Sequence, residues 1–123
     1  MFIEYNPNPH KILVGDCVIR AVSKIVGTDW DTAYLDIADM GFRLKDMPSG
    51  NRVWGEYLKR LGFKRNVVPD TCPGCYTVKD FCNDYPYGDY IVATGEHVIA
   101  IVDGDYFDSF DSGSETPIFY YRG

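Results

Sequence analysis

Basic residues are scarce in this sequence, which carries 12 Lys and Arg against 18 Asp and Glu and has a formal net charge of -6. Sequence-independent binding of nucleic acid depends on neutralising phosphates with Lys and Arg, so this balance disfavours a nucleic-acid partner. The same sign disfavours binding to an anionic membrane surface. No run approaches the roughly 18 apolar residues that a membrane span needs. We therefore expect neither nucleic acid nor a membrane as a partner.

An export signal is also missing from the start of the sequence. The chain opens with MFIEYNPNPH, which has an acid and two prolines where a secretory signal has a basic stretch and then an apolar one. We therefore expect a cytoplasmic protein whose four cysteines are thiols: Cys17, Cys72, Cys75 and Cys82. With 123 residues, 46% of them hydrophobic, the chain suits one domain over residues 1–123 and is too short for two.

The spacing of apolar residues changes from helical to strand-like part-way along the chain. It predicts an N-terminal arm over the first ten residues, and then helices over 17–26, 28–41, 53–61 and 78–84, the last capped by Thr77. Strands are predicted over 63–68, 90–93, 97–102, 106–110 and 117–121, the last at a sheet edge. Helices first and strands after indicate an α+β fold, with N-terminal helices packed on a mostly antiparallel β-sheet.

Cys17 differs from the other cysteines because it begins a predicted helix, with Asp16 available as its cap and Gly27 as its stop. A thiol attacks only as thiolate, and a helix N-terminus with a nearby imidazolium lowers its pKa by roughly one to five units. Cys17 is therefore the candidate nucleophile. The alternative is a small buried apolar residue on an apolar helix.

His97 is one of only two histidines, and it begins an apolar run in which an imidazole needs a hydrogen-bond partner. The turn at Asp103 and Gly104 predicts a hairpin that pairs Val102 with Asp105. This register puts Asp108 on the His97 face, diagonal to it at roughly 7 to 8 Å between backbones. Asp108 is therefore the candidate to orient the imidazole, although each residue alone also fits a strand-end histidine or a surface acid.

Two motifs carry a resemblance to a known family: GDCVIRA at 15–21 and GEHVIAIVDGDYFDS at 95–109. Together they resemble the papain-like cysteine peptidase superfamily, and most nearly its small bacterial and phage members, which are distantly similar to bacteriocin-processing peptidases. The resemblance implies a papain-like thiol protease that cleaves an amide or isopeptide bond through a thioester. Cys17 would be the nucleophile, His97 the general base and acid, and Asp108 the orienting residue. It implies a protein or peptide substrate and no cofactor.

The chain departs from this family at the oxyanion hole. Papain-like enzymes place a Gln six residues before the nucleophile, and Lys11 stands at that position. Asn8, His10 and Lys11 are the upstream side chains that could supply a donor, with the Cys17 backbone N–H as the other.

Three alternatives remain open on the sequence. One is a cell-wall amidase or endopeptidase of the NlpC or CHAP kind, which uses a similar Cys-His core. Another is a non-catalytic binding module with the papain fold, which the missing Gln favours. A third uses the CxxC of Cys72 and Cys75 as a redox pair or, with Cys82 and a histidine, as a zinc site. Ordinary turn cysteines are the simpler interpretation of that motif.

Overall fold

The computed structural model describes residues 1–123 and confirms the α+β class. The helices are α1 (Cys17–Val26), α2 (Trp30–Leu44), α3 (Asn51–Arg60) and α4 (Val78–Asp84). The strands are β1 (Phe2–Glu4), β2 (Lys64–Val67), β3 (Asp89–Ala93), β4 (Val98–Val102), β5 (Asp105–Asp108) and β6 (Phe119–Arg122). None of the four helices combines the length and the apolar character that crossing a membrane requires.

The six strands form one sheet in the order β1-β5-β4-β3-β6-β2. Every neighbouring pair is antiparallel except β1 and β5, which run parallel. The prediction of an N-terminal arm is wrong, because β1 pairs with β5 and Phe2 packs its ring against Tyr106 at 5.6 Å between centroids. The edge position predicted for the last strand is also wrong. β6 lies between β3 and β2, and its Phe119 and Tyr121 are buried in the core.

Apolar side chains cover both faces of the sheet. One face packs against α1, α2 and α3, with Trp54 and Val22 fully buried between them. The other face packs against α4, whose Phe81 lies among buried tyrosines. The central strand β4 contributes Ala100 to the first cluster and Ile99 to the second. Burial on both faces accounts for the continuous apolar run of this strand.

The helix ends agree with the sequence in part. Thr77 caps α4 as predicted, because its hydroxyl accepts a hydrogen bond from the Asp80 backbone N–H and the Asp80 carboxylate accepts one from the Thr77 backbone N–H. α2 continues to Leu44, so the predicted stop at Gly41 is wrong. Gly41 instead allows a close approach, because a Cβ there would lie 2.9 Å from the Asp46 carbonyl oxygen.

The hairpin of β4 and β5 confirms the predicted register. Val102 pairs with Asp105 and Ala100 with Phe107. Asp103 and Gly104 both have positive φ, at 49° and 80°, as a tight two-residue turn requires. The hairpin thus places the two ends that carry His97 and Asp108 side by side.

Candidate active site

Cys17 lies at the first position of α1, beside the start of β4. Val18, Ala21 and Val22 of α1 join Val98 and Ala100 of β4 in the larger apolar cluster, and this packing fixes the helix start against the sheet. A cleft of about 480 Å³ opens there. Its walls are the start of α1, the turn between β3 and β4, the end of β5 and the loop before α3.

His97 and Asp108 form the second half of the site. The His97 Nε2 lies 2.6 Å from Asp108 Oδ2, and its ring packs on Phe110 at 5.0 Å between centroids. Asp108 is fully buried and also accepts hydrogen bonds from the Ser112 hydroxyl at 2.7 Å and the Ser109 backbone at 2.8 Å. Because Asp108 engages Nε2, the imidazole has Nδ1 left for the thiol of Cys17.

The pKa values of the Cys17 thiol and the His97 imidazole are shifted by their shared surroundings. Burial raises the pKa of Cys17, but hydrogen bonds to His97 and the Val98 backbone outweigh it and leave that pKa below its ordinary value. Burial lowers the pKa of His97, but hydrogen bonds with Asp108 and Cys17 overcome it and raise that pKa to about 9. Both shifts favour a thiolate–imidazolium pair over the neutral pair. The structure therefore brings the three predicted triad residues together.

A buried arginine ties the two halves of the site together. Arg20 is only 4% exposed, and its Nη1 donates to Asp16 Oδ1 at 2.6 Å while Nη2 donates to Asp108 Oδ1 at 3.0 Å. One guanidinium thus links Asp16, the residue before Cys17, to Asp108, the residue that holds the imidazole. Sequence reasoning missed Arg20. The sequence does contain a sign of its role, because Arg20 lies on the apolar face of a helix four residues after an acid. A charge that is buried on such a face requires a buried partner.

Asp16 has a different role from the predicted cap. It occupies the N-cap position, but its side chain makes no capping hydrogen bond. One oxygen accepts from Arg20 and the other from Trp30 Nε1 at 2.9 Å. The first N–H groups of α1, including that of Cys17, therefore have no side-chain cap and lie at the cleft, where the positive end of the helix favours negative charge.

The upstream oxyanion candidates lie outside the cleft. Asn8, His10 and Lys11 belong to a local turn in which Asn8 Oδ1 accepts from the His10 backbone at 2.8 Å. Other polar residues line the cleft instead, among them Ser49 and Asn51. Asn51 Oδ1 accepts from Trp54 Nε1 at 3.2 Å, which leaves its amide N–H groups to donate. In the sequence, nothing in the polar loop between α2 and α3 distinguishes Ser49 and Asn51 from its other polar residues.

The remaining cysteines play no part in the cleft. The structure joins Cys72 and Cys75 in a disulfide, so the prediction that all four cysteines are thiols is wrong for this pair. The tight turn of the CxxC brings the two sulfurs together. Cys82 is buried on α4, and burial raises its pKa to about 11. The structure contains no group of three or more His, Cys, Asp and Glu that could hold a metal ion, so the suggested zinc ligands do not converge.

Comparisons of the chain with protein-family models, with curated proteins and with solved structures found no match. A half-buried thiol at a helix N-terminus lines the same cleft as an imidazole that lowers its pKa, and a buried carboxylate holds the far side of that imidazole. Such an arrangement can supply a nucleophile, a proton carrier and a group that orients the carrier.

Proposed function

We propose that this protein is a cysteine hydrolase of the papain-like type, a peptidase that cleaves an amide or isopeptide bond. The observation that carries the proposal is the continuous chain from Asp108 through His97 to Cys17. Its first link is the 2.6 Å contact between Asp108 and His97. Its second is the position of Cys17 and His97 in the walls of one cleft, where the imidazole lowers the pKa of Cys17. A buried structural cysteine has its pKa raised instead, as Cys82 does.

In the proposed mechanism the Cys17 thiolate attacks the carbonyl carbon of the substrate, and the carbonyl oxygen becomes an oxyanion. The Cys17 backbone N–H, which has no side-chain cap, would donate to that oxygen, and the Asn51 amide at the cleft would be a side-chain donor. The tetrahedral intermediate collapses when the C–N bond breaks and His97 gives its Nδ1 proton to the leaving amine. A thioester on Cys17 remains.

Water completes the cycle. His97, now neutral, takes a proton from a water molecule whose oxygen attacks the thioester carbonyl. The C–S bond then breaks, the acid product leaves, and the thiolate–imidazolium pair forms again. Asp108 does not change its protonation state, because it serves to orient the imidazole and to stabilise its positive charge.

The test combines labelling with turnover. Iodoacetamide at neutral pH should alkylate Cys17 in the native protein, and mass spectrometry of peptides should locate the label there. A mixture of unlabelled peptides, with peptidoglycan fragments in a parallel reaction, should be cleaved by the wild type but not by Cys17→Ala or His97→Ala. Cys82→Ala is the matched control and should retain both properties, since its thiol is buried away from the cleft.

Undiminished labelling of Cys17→Ala would place the reactive thiol elsewhere and contradict the proposal. Cleavage that survives in Cys17→Ala would contradict it as well. Cleavage of peptidoglycan fragments alone would support the roles proposed for Cys17, His97 and Asp108. It would assign the protein to cell-wall hydrolysis of the NlpC or CHAP kind.

A further inference from the structure

A second pocket, here called the basic pocket, opens beside the cleft. It has a volume of about 260 Å³ and is formed by one face of α3 with parts of β2 and β6. Residues four apart lie on the same side of a helix, and α3 contributes two such rows: Asn51, Gly55 and Lys59, then Arg52 and Glu56. Asn51 lines the cleft as well, so the two spaces adjoin at this residue.

Positive charge is concentrated in the basic pocket, although the net charge of the chain is -6. Its walls carry one carboxylate, that of Glu56, and three cations: Arg52, Lys59 and Arg65. Lys59 and Arg65 take part in none of the ion pairs of the structure. The guanidinium Cζ of Arg65 lies 4.3 Å from the centroid of the Phe119 ring, which holds it at the pocket wall. Cations without partners beside a cavity favour an anionic occupant.

The other charges of the basic pocket are partly engaged within the protein. Glu56 Oε1 accepts a hydrogen bond from Arg60 Nε at 3.3 Å, so the one carboxylate already has a cation. Arg52 bonds only through Nη1, which lies 3.4 Å from Asp46 Oδ2, and its Nε and Nη2 are left to donate. The basic pocket therefore offers donors from three cations and no unpaired carboxylate.

A buried hydroxyl without a partner also faces the basic pocket. Tyr121 is only 3% exposed, it lines the pocket, and its hydroxyl makes no hydrogen bond within the protein. A Cβ at position 55 would lie 2.5 Å from this hydroxyl, so Gly55, which is unfavourable inside a helix, leaves the space that the hydroxyl needs. Burial raises the pKa of Tyr121 above its ordinary value, so the hydroxyl stays a donor at neutral pH. A buried donor is unfavourable until an acceptor reaches it.

The donors of the basic pocket match a carboxylate. Arg65 pairs with Tyr121 across the two strands, so a guanidinium and a phenol hydroxyl lie side by side. The planar guanidinium suits the two oxygens of a carboxylate, and the hydroxyl adds a further donor. The cleft has no such group to offer, because Arg20 is its only Arg or Lys and is bonded to Asp16 and Asp108. An acidic side chain of a peptide in the cleft would therefore find its cation in the basic pocket.

We propose that the basic pocket binds the carboxylate of an aspartate or glutamate in the peptide substrate. The substrates are then acidic peptides that extend from the cleft past Asn51, with the carboxylate bonded to Arg65 and Tyr121. This inference rests on the proposed function, because it names part of the substrate. Binding of the carboxylate does not require cleavage, however, so the two are measured separately.

Binding is measured by NMR on Cys17→Ala labelled with nitrogen-15, since this variant cannot form a thioester. The probe is an acetylated Ala-Glu-Ala-Glu-Ala amide, and its control is the same peptide with glutamine in place of glutamate. At about 0.15 M salt, which screens charges beyond about 8 Å, the amide signals of Gly55 and Arg65 should shift to saturation with the glutamate peptide. The Kd of this peptide should be at least about tenfold lower than that of the glutamine peptide.

Variants of the same protein locate this preference. Arg65→Gln should remove the preference for glutamate. Tyr121→Phe deletes only the hydroxyl, so it should raise the Kd of the glutamate peptide at least about threefold while the urea midpoint stays unchanged. Lys64→Gln is the matched control and should retain the preference, because it makes the same change of charge at the neighbouring exposed residue, which does not line the basic pocket.

Cleavage of a peptide mixture then connects the basic pocket to the substrate. The peptides that the wild type cleaves should be enriched in aspartate and glutamate near the cleaved bond, as mass spectrometry of the products would show. Arg65→Gln should lose this enrichment, and Lys64→Gln should keep it.

The outcomes separate this inference from the proposed function. If iodoacetamide does not alkylate Cys17 selectively and no peptide is cleaved, the proposed function fails whatever the NMR titration shows. If peptides are cleaved without enrichment in acidic residues, the inference alone is overturned. Equal affinity for the two probe peptides, or a preference that Arg65→Gln and Tyr121→Phe leave unchanged, overturns it as well. An equal loss in Lys64→Gln would show a general attraction between charges instead of a site.

Discussion

Replacing Arg20 with methionine should destabilise the fold and also raise the pKa of Cys17. The Arg20 side chain is almost fully buried, and it holds two carboxylates that are themselves 6% and 0% exposed, those of Asp16 and Asp108. Methionine keeps an unbranched apolar stem but lacks the guanidinium group and its charge. The substitution would therefore leave two negative charges in the interior without their shared cation.

The magnitude follows from this burial. Removal of one partner from a buried ion pair costs about 3 to 5 kcal/mol, because the remaining charge stays desolvated. Urea unfolding of Arg20→Met should show a loss in that range. The double variant Asp16→Asn with Arg20→Met should recover part of the loss, since only Asp108 then remains as an uncompensated carboxylate.

A matched control is available on the surface. Arg43 pairs with Asp39 at 2.8 Å on α2, and both side chains are more than half exposed. Exposed pairs contribute at most about 1 kcal/mol, so Arg43→Met should change the unfolding free energy little. A loss for Arg20→Met no larger than that for Arg43→Met would refute the reasoning about the buried network.

The thiol gives a second measurement that a purely structural role would not affect. The positive charge of Arg20 helps to lower the pKa of Cys17, and Arg20 also holds the carboxylate that positions His97. In Arg20→Met the pH at which Cys17 is half alkylated should move upward toward about 8.5, the value of a free cysteine. An unchanged pH profile in a folded variant would show that Arg20 only supports the fold.

Three further predictions follow from the same geometry. Asp108→Asn should lower the pKa of His97 from about 9, because the imidazolium loses its hydrogen-bonded carboxylate. An NMR titration of the imidazole ring measures this pKa, and a titration curve that does not shift would contradict the prediction. Peptide turnover should fall as the pH rises through about 9, because His97 then loses the proton that the leaving amine needs. Alkylation of Cys17 should stay on its plateau over the same pH range. A parallel decline of both rates would contradict this prediction. Cys82→Ala should leave the alkylation stoichiometry of the native protein unchanged, since burial raises the pKa of that thiol to about 11, and a loss of one label contradicts this.

The parts of the site that the sequence predicts depend on local rules. The helical spacing after Cys17 fixes the start of α1, and the turn at Asp103 and Gly104 fixes the hairpin register. Alternation along the strand then puts Asp108 on the His97 face, and the 2.6 Å contact between them agrees with that geometry. Each step uses residues that are close in sequence, so the spacing of apolar and turn residues is enough to predict these local features.

The parts that the sequence does not predict depend on distant packing. β1 pairs with β5 from the opposite end of the chain, and no local pattern specifies a parallel partner. The interior position of β6 follows from its pairing with both β2 and β3, which a strand's own composition does not encode. The two partners of Arg20 are likewise set by tertiary structure, since Asp108 lies 88 residues further along the chain.

The pH dependence of Cys17 alkylation, compared between the wild type and His97→Ala, addresses the proposed nucleophile itself. Iodoacetamide rates are measured across the pH range, and mass spectrometry assigns them to Cys17. The wild type should react with a midpoint well below about 8.5, and His97→Ala should move the midpoint up toward that value. A wild-type midpoint near about 8.5, or one that His97→Ala leaves unchanged, would contradict a thiolate held by the His97 imidazolium.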